Sequence, residues 1–240
     1  MKQMGFLDIL SFGPDGWGYV LMMGALVSVA LAVLGFLLGA AIGVFAAWAK
    51  ISGGRTLRAV ADGYTTIIRG IPDLLVIYLF YFGGSAAVTA LGKYFGAEGF
   101  TGFPGFLAGV LAIAISCGAH HTEVFRGAFR AVSKGELEAA TACGMGQMLK
   151  FRRIIAPLAL RHALPGLGNV WQVSLKESAL VSVAGVVELL RQAQIGAGST
   201  GLPFNFFLIA GALYLLISSV SGGLLQFAER HFSRGVRRAK

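Results

Sequence analysis

The residues able to do chemistry are few, and they stand out because their surroundings are apolar. Asp73, Glu123, Lys176 and Glu177 lie in or beside stretches otherwise free of charge. An ionisable group inside a membrane span is expensive enough to be a functional candidate by default. Arg69 precedes Asp73 by four residues, so on one continuous helix the two side chains can meet. They either neutralise each other and fix packing, or contact a ligand near a translocation path. Pro72 between them would loosen the backbone and free carbonyls to line a polar cavity. Lys176 and Glu177 are neighbours, which a straight helix points about 100° apart, so they need different partners or a local break. Glu123, at the end of its apolar run, reads as structural. His120 and Glu123 are three apart, half of a metal site that no Cys or His cluster completes, so no metal is expected. Tyr78, Phe80, Tyr81 and Phe82 read as packing or interfacial aromatics. The chain has no G-x-x-x-x-G-K-[ST] loop, no G-x-S-x-G, no H-E-x-x-H and no hydrolytic acid pair. No catalytic residue is expected, and the chain cannot cradle ATP itself.

These residues sit in a chain of 240 residues, 56% apolar and only 13% charged, with a mean hydropathy of +0.73. Disorder needs the opposite composition. An ordinary soluble globule would leave too much apolar surface in water. Glycine, 35 residues without a G-X-Y period, suits membrane helices that approach closely. Cys117 lies in an apolar run and Cys143 in a basic loop, which is no disulfide framework. The first residues lack the layout of a cleavable signal peptide.

Uncharged runs place five membrane spans at about 16–49, 57–92, 102–129, 163–187 and 203–228, an all-α integral membrane protein. The net charge of +9 is unevenly spread. Fifteen Lys and Arg fall in 50–58, 126–161 and the tail, against three (Lys2, Lys93 and Arg191) on the opposite side. The positive-inside rule then sets the N-terminus outside and the C-terminus in the cytoplasm. It also accounts for most of the charge without nucleic acid.

The largest piece outside the membrane is the basic stretch 131–162. Ser133 with Glu136 three residues later fits a capping box that starts a helix. Gly144 and Gly146 suit a left-handed stop, and a second, basic helix over 147–155 is expected to end before Pro157. The result is a short helical hairpin, stiff enough to insert into a groove on another protein.

Here a resemblance becomes specific. Glu138-Ala139-Ala140, Gly144, Ile154 and Pro157 resemble, in register, the signature of permease subunits of type I ABC importers, departing only at Ala156 where Leu is usual. Arg69-Gly70-Ile71-Pro72-Asp73-Leu74-Leu75 and Leu175-Lys176-Glu177-Ser178-Ala179-Leu180 are similar to stretches of the polar amino-acid branch, and the run from Gly168 to Lys176 looks most like its opine members. The resemblance spans about residues 20–228. It implies one permease domain, multi-pass in a bacterial inner membrane, with 131–162 as the coupling loop. It implies that Glu138, Ala139, Ala140, Gly144, Ile154 and Pro157 dock on an ATPase that carries the ATP and Mg. The implied partners are ABC ATPase subunits, a second permease (identical or homologous), a periplasmic substrate-binding protein, and a polar or basic amino acid or an opine as substrate. The substrate path it implies comprises Arg69, Asp73, Asn169, Lys176, Glu177 and Ser178. Relatives that take basic amino acids often have Asn-Glu where this chain has Asn169-Val170. An ATP-independent secondary transporter or channel would fit the buried charges equally but not the hairpin.

Overall fold

The computed structural model describes residues 9–13, 16–96, 99 and 102–232. Lys2 and the tail residues Arg234, Arg237, Arg238 and Lys240, used above to orient the chain, lie outside them. Helix α1 (Gly18–Ser52) is 35 residues long, about 52 Å at 1.5 Å per residue, so it outreaches a hydrocarbon core. After Gly53 and Gly54 come α2 (Arg55–Gly70) and α3 (Asp73–Tyr94), the latter carrying a π-helical turn at Leu79–Gly83. Helix α4 (Gly105–Ala131) leads to α5 (Lys134–Ala142) and α6 (Gln147–Lys150). A π turn at Phe151–Ile155 joins α6 to α7 (Ala156–Glu177), which tightens into a 3-10 turn at Ser178–Ala184. Helices α8 (Leu189–Thr200) and α9 (Pro203–Phe232) follow.

Contacts fix the direction of each helix. Gly35, Gly39 and Gly43 of α1 meet Ile113, Cys117 and His121 of α4 in the same order, so α1 and α4 run parallel. The four-residue step on both helices makes the seam one ridge in one groove. A Cβ on Gly39 would overlap Cys117 Sγ and stand 2.9 Å from the carbonyl oxygen of Ala114, so only glycine lets the backbones approach this closely. Lys50–Glu123 near the start of α2, Asp73–Ser116 and Ser85–Phe103 set the α2–α3 segment antiparallel to α4. Gly166 against Val124 and Val181 against Gly109 do the same for α7. Trp171 bonds Ser221, and Gln172 bonds Ser218, turning α9 back again. The described chain therefore crosses its bundle five times.

Four of these passes are long and apolar enough to cross a membrane: Gly18–Ser52, Asp73–Tyr94, Gly105–Ala131 and Pro203–His231. The expected span over 163–187 is not among them. Its helix is interrupted by Arg161, His162, Asn169, Gln172, Lys176 and Glu177, and it is held between α4, α1 and α9 instead. Two local expectations are overturned. Arg69 and Asp73 do not share a helix: Pro72 excludes Ile71 from the helical region, Ile71 is extended (φ −108°, ψ 149°), and α2 ends there. The basic helix does not end before Pro157. The π turn shifts the hydrogen-bond register, and Pro157 fits the first turn of α7, where a missing N–H costs little.

If the glycine seam sets the α1–α4 distance, Gly43→Ala should destabilise the detergent-solubilised protein by about 1–3 kcal/mol, the usual effect of overpacking. Gly127→Ala, where a methyl meets nothing within 4 Å in an exposed helix interior, should instead stabilise it by about 0.5–1 kcal/mol. Thermal denaturation midpoints of the two variants check this.

Candidate functional site

At one end of the bundle α5, α6 and their turn form a hairpin. Ser133 Oγ accepts from the Glu136 backbone N–H at 3.2 Å, and Glu136 Oε2 accepts from the Ser133 N–H at 3.2 Å, the capping box expected from the spacing. At the other end of α5, Gly144 is left-handed (φ +73°). The Met145 N–H bonds the Ala140 carbonyl at 3.1 Å and the Gly144 N–H bonds that of Thr141 at 2.9 Å, a Schellman stop. Lys150 Nζ donates to Thr141 Oγ1 at 3.0 Å and ties α6 to α5. Ala139, Ala140, Ile154 and Pro157 line one groove of about 560 Å³, although 14 positions separate Ala140 from Ile154. Ala140 is its buried floor, whereas Glu138 is exposed on the opposite side of α5, between Lys134 and Lys150. Gly144 is exposed at the tip.

Deeper in the bundle, α3, α4 and α7 converge on Ser116. Its Oγ donates to Asp73 Oδ1 at 2.5 Å and lies 3.4 Å from Glu177 Oε1. Glu177 is only 4% exposed, and its Oε2 has no hydrogen-bond partner. Such an atom is costly in a dry interior and marks a place where a donor from outside is expected. Asp73 reaches this point because the break at Ile71–Pro72 starts a new helix there. Glu177 reaches it because α7 ends there.

The other residues of the expected path separate. Lys176 is exposed and turned away from Glu177, as their 100° offset requires. Ser178 is buried, and its Oγ bonds the Leu175 carbonyl at 2.7 Å, closing the turn. Asn169 is exposed. With His162 and Lys176 it makes an outward polar stripe along α7, at the spacing of one helix face. Arg69 is exposed in a different cavity, between α2 and α4.

Three features escaped sequence reasoning. Ser116 was one hydroxyl in an apolar run. Lys50, read only as a topology charge, is 8% exposed and donates to Thr65 (2.6 Å), Asp62 (2.9 Å) and Glu123 (2.8 Å). Arg126 holds the second Glu123 oxygen at 2.6 Å, which gives Glu123 the structural role expected. Glu188, fully buried, caps α8 through the N–H groups of Leu190 and Arg191, and accepts from Ser28 at 3.0 Å and Tyr214 at 2.9 Å. Among the described residues no cluster of His, Cys, Asp and Glu could hold a metal.

Comparison with known proteins bears on all of this. Residues 39–237 match the family model of the binding-protein-dependent transport system inner membrane component. The chain is 54% identical over 235 residues to the octopine transport system permease protein OccQ of Rhizobium meliloti, covering 98% of this chain and 99% of the relative. It is 42% identical over 224 residues to the histidine/lysine/arginine/ornithine transport system permease protein HisQ of Escherichia coli, covering 93% and 98%. The solved structure of an amino acid ABC transporter with histidines is 34% identical, covers 90% of this chain and 95% of that one, and superposes with a TM-score of 0.76.

The Lys50 cluster gives a direct test. Lys50→Met leaves Glu123 with one cation and Asp62 with none. Because Asp62 is half in solvent, the loss should be about 2–3 kcal/mol rather than the 3–5 of a fully buried pair. Adding Asp62→Asn should recover part of it, as read from the denaturation midpoint.

Proposed function

We propose, because the chain belongs to the family of binding-protein-dependent transport system inner membrane components, that it forms one side of an uptake path for amino acids or opines and is worked from its hairpin end. It is an inner-membrane permease subunit of an ABC importer and not the ATPase of that system. Its family works with an ATPase and a substrate-binding protein. The partner ATPase would carry ATP and Mg, docking around the hairpin that the charge asymmetry orients to the cytoplasm, with the N-terminus outside. The observation that carries this reading is the convergence of Ala139, Ala140, Ile154 and Pro157 on one groove beside a capped helix, with Glu138 and Gly144 exposed around it.

The outward stripe of His162, Asn169 and Lys176 supports a second permease subunit, identical or homologous. Polar side chains at membrane depth face a water-filled path or another protein, not lipid. With its outer face so covered, α7 serves as the fifth membrane crossing. The carboxylate of Glu177, with Oε2 unpartnered beside Asp73 and Ser116, is the substrate contact. Two acids there suit the cationic end of an amino acid or opine, in line with the names of the relatives.

Glu138→Lys and Gly144→Asp should each insert normally yet lower ATP-driven uptake by about tenfold, the equivalent of ~1.4 kcal/mol of lost docking. Normal uptake in either would move the docking surface elsewhere. Asp73→Asn or Glu177→Gln should impair uptake with assembly intact, measured with radiolabelled substrate in proteoliposomes. Unchanged uptake in both removes these acids from the path.

A further inference from the structure

Below Asp73 and Ser116 the bundle opens into a basin of about 840 Å³ between α2 and α4. Its charges form a ladder down the antiparallel α2 and α4, with Lys50 reaching in from α1. Arg69 and His120 stand one turn below Asp73 and Ser116, Lys50 with Asp62 and Glu123 lie in the middle, and Arg58 and Arg130 hold the rim. From Arg69 to Arg58 is 11 residues of α2, about 16 Å of descent. Five cations (Lys50, Arg58, Arg69, Arg126 and Arg130) line the basin against two carboxylates. Both carboxylates are already held by Lys50 and Arg126. The side chains of Arg58, Arg69 and Arg130 make no ion pair or hydrogen bond among the described residues. The positive-inside rule accounts for arginines at a rim, but not for Arg69 a further three turns in, directly below an acidic centre. A basic wall of this kind concentrates anions and repels cations.

We propose that this basin is the release vestibule of the path and binds substrate carboxylates, so that the substrate enters the cytoplasm carboxylate end first. Resting on the amino-acid and opine reading above, this favours substrates with two carboxylates over those with one. The cationic end stays with Asp73 and Glu177 while the carboxylates reach Arg69, one turn below. Descent then passes the anionic end to Arg58 and Arg130, which are exposed and hold it loosely enough to let go.

The test uses the full importer, with its partner permease, ATPase and binding protein, in proteoliposomes supplied with octopine (two carboxylates) or arginine (one). Arg58→Gln with Arg130→Gln should lower octopine uptake about 3- to 10-fold, and the loss should shrink as salt rises from about 50 mM to about 500 mM. Arginine uptake, where it occurs, should change less than octopine uptake. An unchanged octopine rate in the double variant, or a loss indifferent to salt, overturns the vestibule. So does a loss seen only in vesicles containing phosphatidylglycerol, which would assign these arginines to lipid phosphate. Wild-type uptake of arginine without octopine overturns the two-carboxylate preference. Uptake of neither defeats the amino-acid and opine reading itself.

Discussion

A carboxylate taken into a dry helical bundle loses its water, and it stays charged only if cations or hydrogen-bond donors replace that water. Three acids in this protein meet that constraint in three ways. Glu123 is neutralised by Lys50 and Arg126. Glu188 has no cation, but two backbone N–H groups at the start of α8 and two hydroxyls surround it. Glu177 has only a long contact to Ser116 on one oxygen and nothing on the other. The first two acids are finished structures, each joining helices distant in sequence: α1, α2 and α4 in one case, α1, α8 and α9 in the other. Glu177 is unfinished, and in the reading proposed above a transported cation brings the missing donor.

The same acid lies at the end of a mechanical line. The hairpin is stiffened at both ends of α5, by the capping box and by the left-handed stop at Gly144, and Lys150 braces it from the side. From Gln147 the backbone stays helical through α6, the π turn, α7 and the 3-10 turn to Ala184. In the proposed coupling, a displacement of the hairpin would travel along this continuous helix, whose 22-residue α segment, about 33 Å long, ends at Glu177. Pro157 and Pro165 do not break it. Pro157 sits in the first turn of α7, where a missing N–H costs little, and the helix continues through Pro165.

What could be read from the sequence divides along physical lines. Local rules were sufficient for the hairpin: Ser133 and Glu136 specify their cap within one turn, and Gly144 its backbone conformation. Composition was sufficient for three apolar spans and for the later part of the expected 57–92 span, whose first half is the separate helix α2. Pairings between distant segments were not legible. Lys50 contributes one positive charge to a count, and nothing in its neighbourhood says that Glu123, 73 positions later, will come within 2.8 Å. Glu188 resembles a loop acid until α1 and α9 close over it. The Arg69–Asp73 spacing promised a helical pair, but the proline between them had the stronger claim, because its ring excludes Ile71 from the helical region whatever the side chains prefer.

That break also separates the two electrostatic halves of the molecule. On one unbroken helix Arg69 and Asp73 would face each other and cancel, leaving neither acid nor base for a ligand. Ended at Gly70 and restarted at Asp73, the chain sends the acid to Ser116 and Glu177 and leaves the arginine in the basin below. The polar stripe on α7 faces outward, a direction lipid does not accept, and in the reading proposed above a second permease covers it. A conduit assembled this way keeps lipid away with its apolar helices α1, α3 and α9. Helix α7, interrupted by His162, Asn169, Gln172, Lys176 and Glu177, is not built to meet lipid in the same way.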